Sequence, residues 1–343
     1  MKENIINYIP LKIYRYLRWL RDKKGEYQNN KKHFSEEYAR LCFAAEETSY
    51  RGKAPEVVLA AYQAKDRYIL EYLNGLLYDV IEKYKTFDYV APTNGKDRAA
   101  IWVLWWQGEE KAPDIVKACI QSIRKNANGH EVIVLSKENY QSYVRLPEKI
   151  IKKHDAGIIG HAFYSDMIRL ALLAKYGGMW IDATVYISQP IPENLFQMDF
   201  FTLKTYDPNY TWFSKSRWTG YYLAGMKGFP IFAFARDALI MYWEKADRVI
   251  DYLLADYVYG LAYQNILVVR EAIDSLPDNN IRRGDLMAAI NNEYDPDLFQ
   301  MLETGETFAS KMSWRYGNPV ARNKEGKLTN YGYLLREQAI ARR

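Results

Sequence analysis

An acidic and a basic residue stand three positions apart in the middle of the chain. Asp166 and Arg169 belong to an amphipathic stretch, and on a helix residues with this spacing share one face and can form an ion pair. Such a pair either lies on the surface, where it contributes roughly 0–1 kcal/mol to stability, or contacts a ligand. The spacing alone favours the surface pair.

A second carboxylate, Asp182, follows the apolar run 179–181, which is entered through Gly177 and Gly178. This pattern predicts a buried strand with Asp182 at its carboxyl end, the edge at which open α/β sheets bind ligands. With the hydroxyl of Thr184 two residues on, the carboxylate offers the hard oxygen ligands that Mg²⁺ or Mn²⁺ prefers, and such an ion could hold a diphosphate. The alternative is that Asp182 caps a turn at the strand end.

Strands and helices alternate around these residues. Hydrophobic patterns predict strands at 101–106, 131–135, 179–182 and 185–187, and helices at 114–125, 161–176 and 232–254. This order indicates an α/β sheet of the nucleotide-binding kind. The earlier residues read as helices, mainly at 36–47 and 54–84, and the Pro, Asn and Gly within 91–96 are typical of a linker. We therefore predict a helical N-terminal region over residues 1–92 and an α/β domain over residues 98–340.

The composition excludes several functional classes. The chain has 343 residues, of which 49% are hydrophobic and 26% charged, as is typical of a soluble globular protein. Its net charge of +5 is too small to indicate nucleic-acid binding, and the basic excess lies in residues 1–32. Two cysteines, Cys42 and Cys119, supply neither a disulfide framework nor metal-ligand spacing. These cysteines indicate a reducing cytosol, and no apolar run reaches the roughly 18–20 residues of a membrane-spanning helix. We therefore expect a cytoplasmic protein, with peripheral contact at the inner face of the cell membrane.

A family resemblance rests mainly on residues 164–186, which read YSDMIRLALLAKYGGMWIDATVY. This segment resembles the signature of the capsular polysaccharide synthesis glycosyltransferases, which are related to initiating mannosyltransferases and to the catalytic domains of clostridial glucosylating toxins. In those families a helix with Asp and Arg leads through a Tyr-Gly-Gly turn into a strand that ends in a DxD motif. Residues 101–108 and 131–135 resemble the first two strands of the family. The resemblance implies a GT-A-like fold, a Rossmann-like nucleotide-sugar-binding sheet, here with an added N-terminal helical region.

The resemblance also implies roles for individual residues. Asp166 and Arg169 would hold the sugar and the ribose or phosphate of the donor, and Asp182 would bind Mn²⁺ or Mg²⁺ at the diphosphate. The remaining donor-binding positions that it implies are Trp105, Trp106, Gln107, Ser165, Thr184 and Lys311. The first three would flank the nucleobase. Thr184 stands where a DxD motif has its second carboxylate, which implies weaker or partly water-mediated metal binding.

Lys311 lies in the segment 310–315, which resembles one that closes over the donor diphosphate. A lysine that faces phosphate is physically sensible. A lysine that is simply solvated fits this short segment equally well.

These observations favour a metal-dependent glycosyltransferase that moves a sugar from a nucleotide diphosphate sugar to a capsular or exopolysaccharide acceptor. The relatives suggest retention of anomeric configuration. One alternative is a metal-dependent sugar-phosphate or nucleotidyl transferase, which would release pyrophosphate or a nucleoside monophosphate. Another is a catalytically inactive scaffold of a polysaccharide assembly complex, since the second carboxylate of the motif is missing.

The N-terminal basic stretch predicts a peripheral contact with an anionic membrane, where a lipid-linked acceptor would be found. On a helical wheel, one arc holds Ile13, Tyr16, Leu17 and Leu20, and the opposite half holds Lys12, Arg15, Arg18 and Arg21. That segregation is typical of a helix in the headgroup plane of a bilayer. The alternative is a helix that packs on the protein with its basic face in water.

Overall fold

The chain begins with four helices. The structure is a computed structural model that describes residues 11–90, 99–315 and 317–341. The N-terminal helices are α1 (Leu11–His33), α2 (Glu36–Tyr50), α3 (Pro55–Leu76) and α4 (Tyr78–Lys85). Ser35 caps α2 by accepting a hydrogen bond from the backbone N–H of Tyr38 at 2.9 Å. The predicted linker at 91–96, like residues 1–10, lies outside the described residues, so the domain boundary near residue 92 stays a prediction.

An α/β arrangement follows the four helices. Its first half contains β1 (Ile101–Leu104), α5 (Asp114–Lys125), β2 (Val132–Leu135), α6 (Glu148–Asp155), α7 (His161–Tyr176), β3 (Gly178–Ile181), β4 (Val185–Ile187), β5 (Phe200–Thr202) and β6 (Tyr222–Gly225). Its second half contains α8 (Pro230–Lys245), α9 (Leu254–Asn265), α10 (Leu267–Ser275), α11 (Asp285–Ala288), α12 (Pro296–Thr304), β7 (Ala309–Lys311) and α13 (Asn330–Ala341).

Five strands form the central sheet in the order β2-β1-β3-β6-β5. β1 pairs with β2 and β3 in parallel, whereas β6 pairs antiparallel with both β3 and β5. The chain runs from β1 to β2 on one side and then crosses to β3 on the other side of β1. The carboxyl ends of β1 and β3 therefore flank a topological switch point, where α/β sheets bind ligands. The α/β fold class is confirmed, with the parallel strands β1, β2 and β3 of a Rossmann-like sheet beside two antiparallel strands.

The turn between α7 and β3 requires glycine at two successive positions. Gly177 and Gly178 have φ values of +68° and +91°. A Cβ at Gly177 would lie 2.5 Å from the backbone nitrogen of Lys227, and one at Gly178 would lie 2.4 Å from the carbonyl oxygen of Ala100. The helix that carries Asp166 and Arg169 therefore enters the strand that precedes Asp182 through a turn that other residues cannot adopt.

The N-terminal helices pack against α8 and α9. Lys65 lies 2.8 Å from Asp251, and Tyr257 donates a hydrogen bond to the buried Asp66 at 2.6 Å. Tyr84 donates to Asp237 at 2.9 Å. These contacts join α3 to α9, whose residues reach the central cavity, and α4 to α8.

Two parts of the sequence-based description differ from the structure. The predicted helix 232–254 ends at Lys245, and a new helix begins at Leu254. Nζ of Lys153, on α6, donates hydrogen bonds to the carbonyl oxygens of Trp243 and Ala246 at 2.5 and 2.9 Å. These bonds satisfy carbonyl groups at the C-terminal end of α8 that have no partner within the helix. The short strands β5, β6 and β7 were not predicted from the sequence.

In the described ranges, no helix is both long enough and apolar enough to cross a lipid bilayer.

Candidate active site

A cavity of about 490 Å³ opens where β1 and β3 end. Asp182 follows β3 directly, and Trp105 follows β1. The cavity is also lined by side chains from α7, α9 and the segment 311–315. Seven of the nine predicted site residues lie in this lining: Trp105, Ser165, Asp166, Arg169, Asp182, Thr184 and Lys311. One further carboxylate, Asp256, also lines the cavity.

Asp166 and Arg169 form their ion pair at the base of this cavity. The Nη2 atom of Arg169 lies 3.0 Å from Oδ1 of Asp166, and the two side chains are only 10% and 17% exposed. Burial raises the pKa of Asp166 to about 6, although the guanidinium opposes this shift. The prediction of a surface salt bridge, which the spacing favoured, is therefore wrong, since the pair is buried and lines the cavity.

The guanidinium of Arg169 is held in one position by three further groups. Nη1 donates a hydrogen bond to the carbonyl oxygen of Gly220, and the group lies 5.0 Å from the centre of the Trp180 ring. Nη2 is also 3.6 Å from Oδ1 of Asp182. The Nε atom is buried and has no hydrogen-bond partner. The arginine thus links α7 to the end of β3 with one donor still unused.

Asp182 lies between two cations at the end of a fully buried strand. Its Oδ1 accepts a hydrogen bond from Nε1 of Trp180 at 2.9 Å, and its Oδ2 lies 2.9 Å from Nζ of Lys311. Burial acts to raise the pKa of Asp182, but Lys311 and Arg169 together hold that pKa below its ordinary value. The carboxylate is therefore ionised at neutral pH. Because it pairs with Lys311 and lies near Arg169, it does more than cap a turn at the strand end.

Lys311 joins the end of β7 to the residues that follow β3. Its Nζ atom lies 2.9 Å from Oδ2 of Asp182 and 2.8 Å from Oγ1 of Thr184. The ammonium group is also 4.6 Å from the centre of the Tyr221 ring, which lines the same cavity. The alternative of a fully solvated Lys311 is wrong, because its side chain is only 33% exposed and its ammonium group is paired with Asp182.

The implied metal ion can be tested against these contacts. Asp182 and Thr184 do not fit a divalent ion as they stand, because the ammonium group of Lys311 occupies the position between their oxygens. In the described part of the chain, no three His, Cys, Asp or Glu residues lie close enough together to hold a metal ion. Mn²⁺ or Mg²⁺ at Asp182 stays a prediction, and the arrangement points to a different cation.

Two residues of α9 that reach the cavity were not predicted from the sequence. Asp256 accepts a hydrogen bond from Nε1 of Trp218 at 3.1 Å, and burial raises the pKa of Asp256 to about 7. Tyr259 is 2% exposed, and its hydroxyl group has no hydrogen-bond partner. Their spacing of three on one helix was the only available signal, and it does not distinguish them from other polar pairs.

Aromatic rings form one wall of the cavity. Trp105 meets Trp314 edge to face with ring centres 5.7 Å apart, and the guanidinium of Arg315 lies 4.8 Å from the centre of the Trp314 ring. The Nε1 atom of Trp105 is buried without a hydrogen-bond partner. Trp105 was predicted as a site residue, whereas Trp314 and Arg315 were predicted only as members of the segment 310–315.

Two predicted nucleobase contacts lie elsewhere. Trp106 packs among His154, His161 and Tyr164, with ring centres 5.0–5.7 Å away, and does not line the cavity. Gln107 is exposed on the turn after β1 and is not part of the cavity lining. The structure therefore brings Trp105 to the cavity but not the two residues that follow it.

Comparisons with known proteins give one family match. A family model described as "Capsular polysaccharide synthesis protein" matches residues 53–331, so the match includes α3 and α4. A solved structure, "PaToxG Glycosyltransferase", is similar over 61% of this chain and 83% of its own, with a TM-score of 0.38 and 13% identity. No curated protein matches the chain.

Proposed function

The chain belongs to the capsular polysaccharide synthesis protein family, and we propose that it is a glycosyltransferase that moves a sugar from a nucleoside diphosphate sugar to a saccharide acceptor. One observation carries this proposal. Arg169 and Lys311 stand on either side of the ionised Asp182, in a cavity at the carboxyl ends of β1 and β3. Two fixed cations at this edge of the sheet suit a diphosphate, which carries negative charge on adjacent phosphoryl groups.

In the proposed reaction, the bond between the anomeric carbon and the diphosphate oxygen breaks, and its electron pair stays on that oxygen. The acceptor hydroxyl forms the new bond to the anomeric carbon, and its proton passes to the departing phosphate. Arg169 and Lys311 stabilise the charge that develops on the leaving group, an effect that commonly supplies several kcal/mol. We propose retention of configuration by a front-face route, in which the departing phosphate assists the acceptor and no enzyme nucleophile is needed.

The remaining walls of the cavity suit the other parts of such a donor. The rings of Trp105 and Trp314 offer apolar surface for a nucleobase, and the unpartnered Nε1 of Trp105 can donate to it. Asp166, Asp256 and the unpartnered hydroxyl of Tyr259 lie at the base. Carboxylates accept hydrogen bonds from sugar hydroxyl groups and a phenol can donate to or accept from them, so we assign this side to the transferred sugar or the acceptor.

A panel of nucleotide sugars tests the proposed function. The protein is incubated with each donor without acceptor, and the released nucleotide is identified by chromatography. We expect slow release of a nucleoside diphosphate from at least one donor. Release of pyrophosphate or a nucleoside monophosphate would instead indicate the nucleotidyl or sugar-phosphate transferase. A protein that neither turns over nor binds any nucleoside diphosphate would be the inactive scaffold.

The variant Asp182→Asn tests whether turnover depends on the charge of this carboxylate. The amide keeps the size of the side chain but removes the charge between Arg169 and Lys311. We expect turnover to fall by about 100-fold or more, because the two cations lose the carboxylate that fixes their positions. Asp79→Asn, on the exposed face of α4, serves as the matched control and should keep full turnover.

We also propose that the acceptor is lipid-linked and that α1 lies near an anionic membrane. Ile13 and Leu17 are 50% and 49% exposed, next to exposed arginines of the same helix. Apolar and basic side chains that reach solvent together support contact with an anionic bilayer surface. Other residues of α1 pack on α2, since Trp19 stacks on Tyr50 with ring centres 4.8 Å apart.

A further inference from the structure

The position of Lys311 is fixed by a strand pairing. Lys311 ends β7, which pairs antiparallel with β4, and it stands opposite Val185 in the register. The backbone N–H of Met312 donates to the carbonyl oxygen of Thr184 at 2.8 Å, and that of Lys311 donates to Arg283 at 2.8 Å. Because the backbone is held on both sides, the side chain of Lys311 has little freedom to leave the residues that follow β3.

The ammonium group occupies the space that a divalent ion would need. Its nitrogen is 2.9 Å from Oδ2 of Asp182 and 2.8 Å from Oγ1 of Thr184. A metal ion on these two oxygens would lie about 2.0–2.6 Å from each and would overlap the nitrogen atom. A divalent ion would also meet the positive charge of Lys311 at contact distance. Binding of the ion therefore requires the lysine to move away.

The ammonium group of Lys311 has one more hydrogen-bond donor than Asp182 and Thr184 use. An ammonium group donates up to three hydrogen bonds, and Asp182 and Thr184 accept two of them. The side chain is 33% exposed and lines the cavity, so a phosphate group can reach it. The guanidinium of Arg169 lies on the other side of Asp182 at 3.6 Å. That guanidinium is also paired with Asp166 at 3.0 Å, so the cation with a hydrogen-bond donor left for a phosphate in the cavity is Lys311.

We propose that the ammonium group of Lys311 takes the place of the divalent metal ion and contacts the leaving diphosphate directly, so that the site binds its nucleotide and transfers sugar without metal. Asp182 and Thr184 then act as positioning residues that hold the ammonium group. This inference rests on the proposed function, since it presupposes a nucleoside diphosphate in the cavity. It gives the Asp-Ala-Thr sequence at 182–184 a physical reason, because a carboxylate at position 184 would add a second negative charge beside the ammonium group that Asp182 already pairs.

Calorimetry with nucleoside diphosphates tests this inference apart from turnover. UDP, GDP, CDP and ADP are titrated in turn into the protein, first in EDTA and then with MnCl₂. We expect at least one to bind in EDTA, with Kd changing less than about threefold when Mn²⁺ is added, since a preformed cation is already present. Lys311→Met should weaken that binding by about 30-fold, the loss expected for one charge-assisted hydrogen bond.

Two further variants separate charge from folding. Lys311→Arg keeps the charge and should retain binding within about tenfold of wild type, even if Lys311→Met unfolds. Lys152→Met is the matched control, because Lys152 is exposed on α6 with only a loose partner, Glu148, at 3.6 Å. Its binding should equal that of wild type. Melting temperatures of all variants are measured alongside.

The outcomes distinguish this inference from the proposed function. Binding that appears only with Mn²⁺, or that Lys311→Met leaves unchanged in EDTA, would overturn the role of Lys311 and leave the glycosyltransferase proposal standing. The first of these results would support the metal ion that the family resemblance implied. If none of the four nucleotides binds with or without Mn²⁺, both the role of Lys311 and the proposed function fail.

Discussion

Nε1 of Trp218 donates a hydrogen bond to Oδ1 of Asp256 over 3.1 Å, joining the segment before β6 to helix α9 beneath the cavity. The indole is 4% exposed, so this hydrogen bond is shielded from solvent. It holds a carboxyl group whose pKa burial raises to about 7. The charged groups around Asp256 are Asp166, Asp251 and Arg169, of which the two carboxylates raise the pKa further and the guanidinium lowers it.

This arrangement predicts that stability falls as the pH rises. The folded pKa of Asp256, about 7, lies above the ordinary value of about 4, so between these pH values the folded protein holds a proton that the unfolded chain has released. The free energy of unfolding therefore decreases with pH in this window, by at most about 1.4 kcal/mol per unit, and this contribution levels off above pH 7.

Asp256→Asn should flatten this dependence, because a neutral amide has no proton to lose. The measurement is urea unfolding of both proteins at several pH values between about 4 and 8. Part of the slope should remain in the variant, since burial also raises the pKa of Asp166 to about 6. Asp79→Asn, which changes an exposed residue, should keep the wild-type slope. Equal slopes for wild type and Asp256→Asn would show that Asp256 is ionised throughout.

Local patterns predicted the elements on which the site is built. The helix at 161–176 and the strand before Asp182 follow from apolar periodicity and from Gly177 and Gly178. The topology then brings Trp105 and Asp182 to the same edge, because both follow parallel strands. The sequence therefore predicted where the site lies and which residues begin it.

The rest of the site depends on contacts between distant parts of the chain. Lys311 reaches Asp182 only because β7 pairs with β4 across more than a hundred residues, and a three-residue strand leaves no usable pattern. Asp256 reaches the cavity only because α9 begins anew after α8 ends at Lys245. No proline or glycine marks the end of α8. Instead, Lys153 of α6 stabilises that end by donating hydrogen bonds to its last carbonyl oxygens. Neither contact could be read from local spacing.

Arg169 offers a prediction on both stability and turnover. Arg169→Ala leaves Asp166 and Asp182 buried without their shared cation, and we expect it to destabilise the fold by about 3–5 kcal/mol. Arg169→Lys keeps the charge but not the planar group that contacts Gly220, so it should fold and yet lower turnover by about 100-fold or more. Urea unfolding and donor hydrolysis measure the two effects. Wild-type turnover in Arg169→Lys would contradict a direct contact with the donor.

Gly220 predicts a subtler effect on the same arginine. A Cβ at Gly220 would lie 3.2 Å from Nη1 of Arg169, close enough to shift the guanidinium by a few tenths of an ångström. We expect Gly220→Ala to lower turnover by about tenfold with little change in melting temperature, because small misplacements of charged groups slow catalysis. Gly284→Ala is the matched control, since nothing lies within 4 Å of its added methyl group. Equal turnover in the two variants would mean that Arg169 tolerates this displacement.

The exposed side of α1 provides the last prediction, binding to anionic vesicles. Tyr16 and Trp19 pack on α2, whereas Ile13, Leu17 and the arginines of the same helix are exposed. Each basic residue near an anionic surface contributes about 1 kcal/mol, so the triple change of Arg15, Arg18 and Arg21 to Gln should remove roughly 3 kcal/mol of binding. The full chain should therefore sediment with vesicles that contain phosphatidylserine at low salt.

Several comparisons separate this contact from adventitious adsorption. High salt should release the protein, because screening weakens attraction between exposed charges, and pure phosphatidylcholine vesicles should bind it poorly. Changing Lys83 and Lys85 of α4 to Gln removes exposed charges elsewhere and should leave sedimentation unchanged. If the triple arginine variant still binds as well as the wild type, the contact does not involve α1. In that case Ile13 and Leu17 would have no role at a membrane, and a lipid-linked acceptor would have to be brought to the cavity in another way.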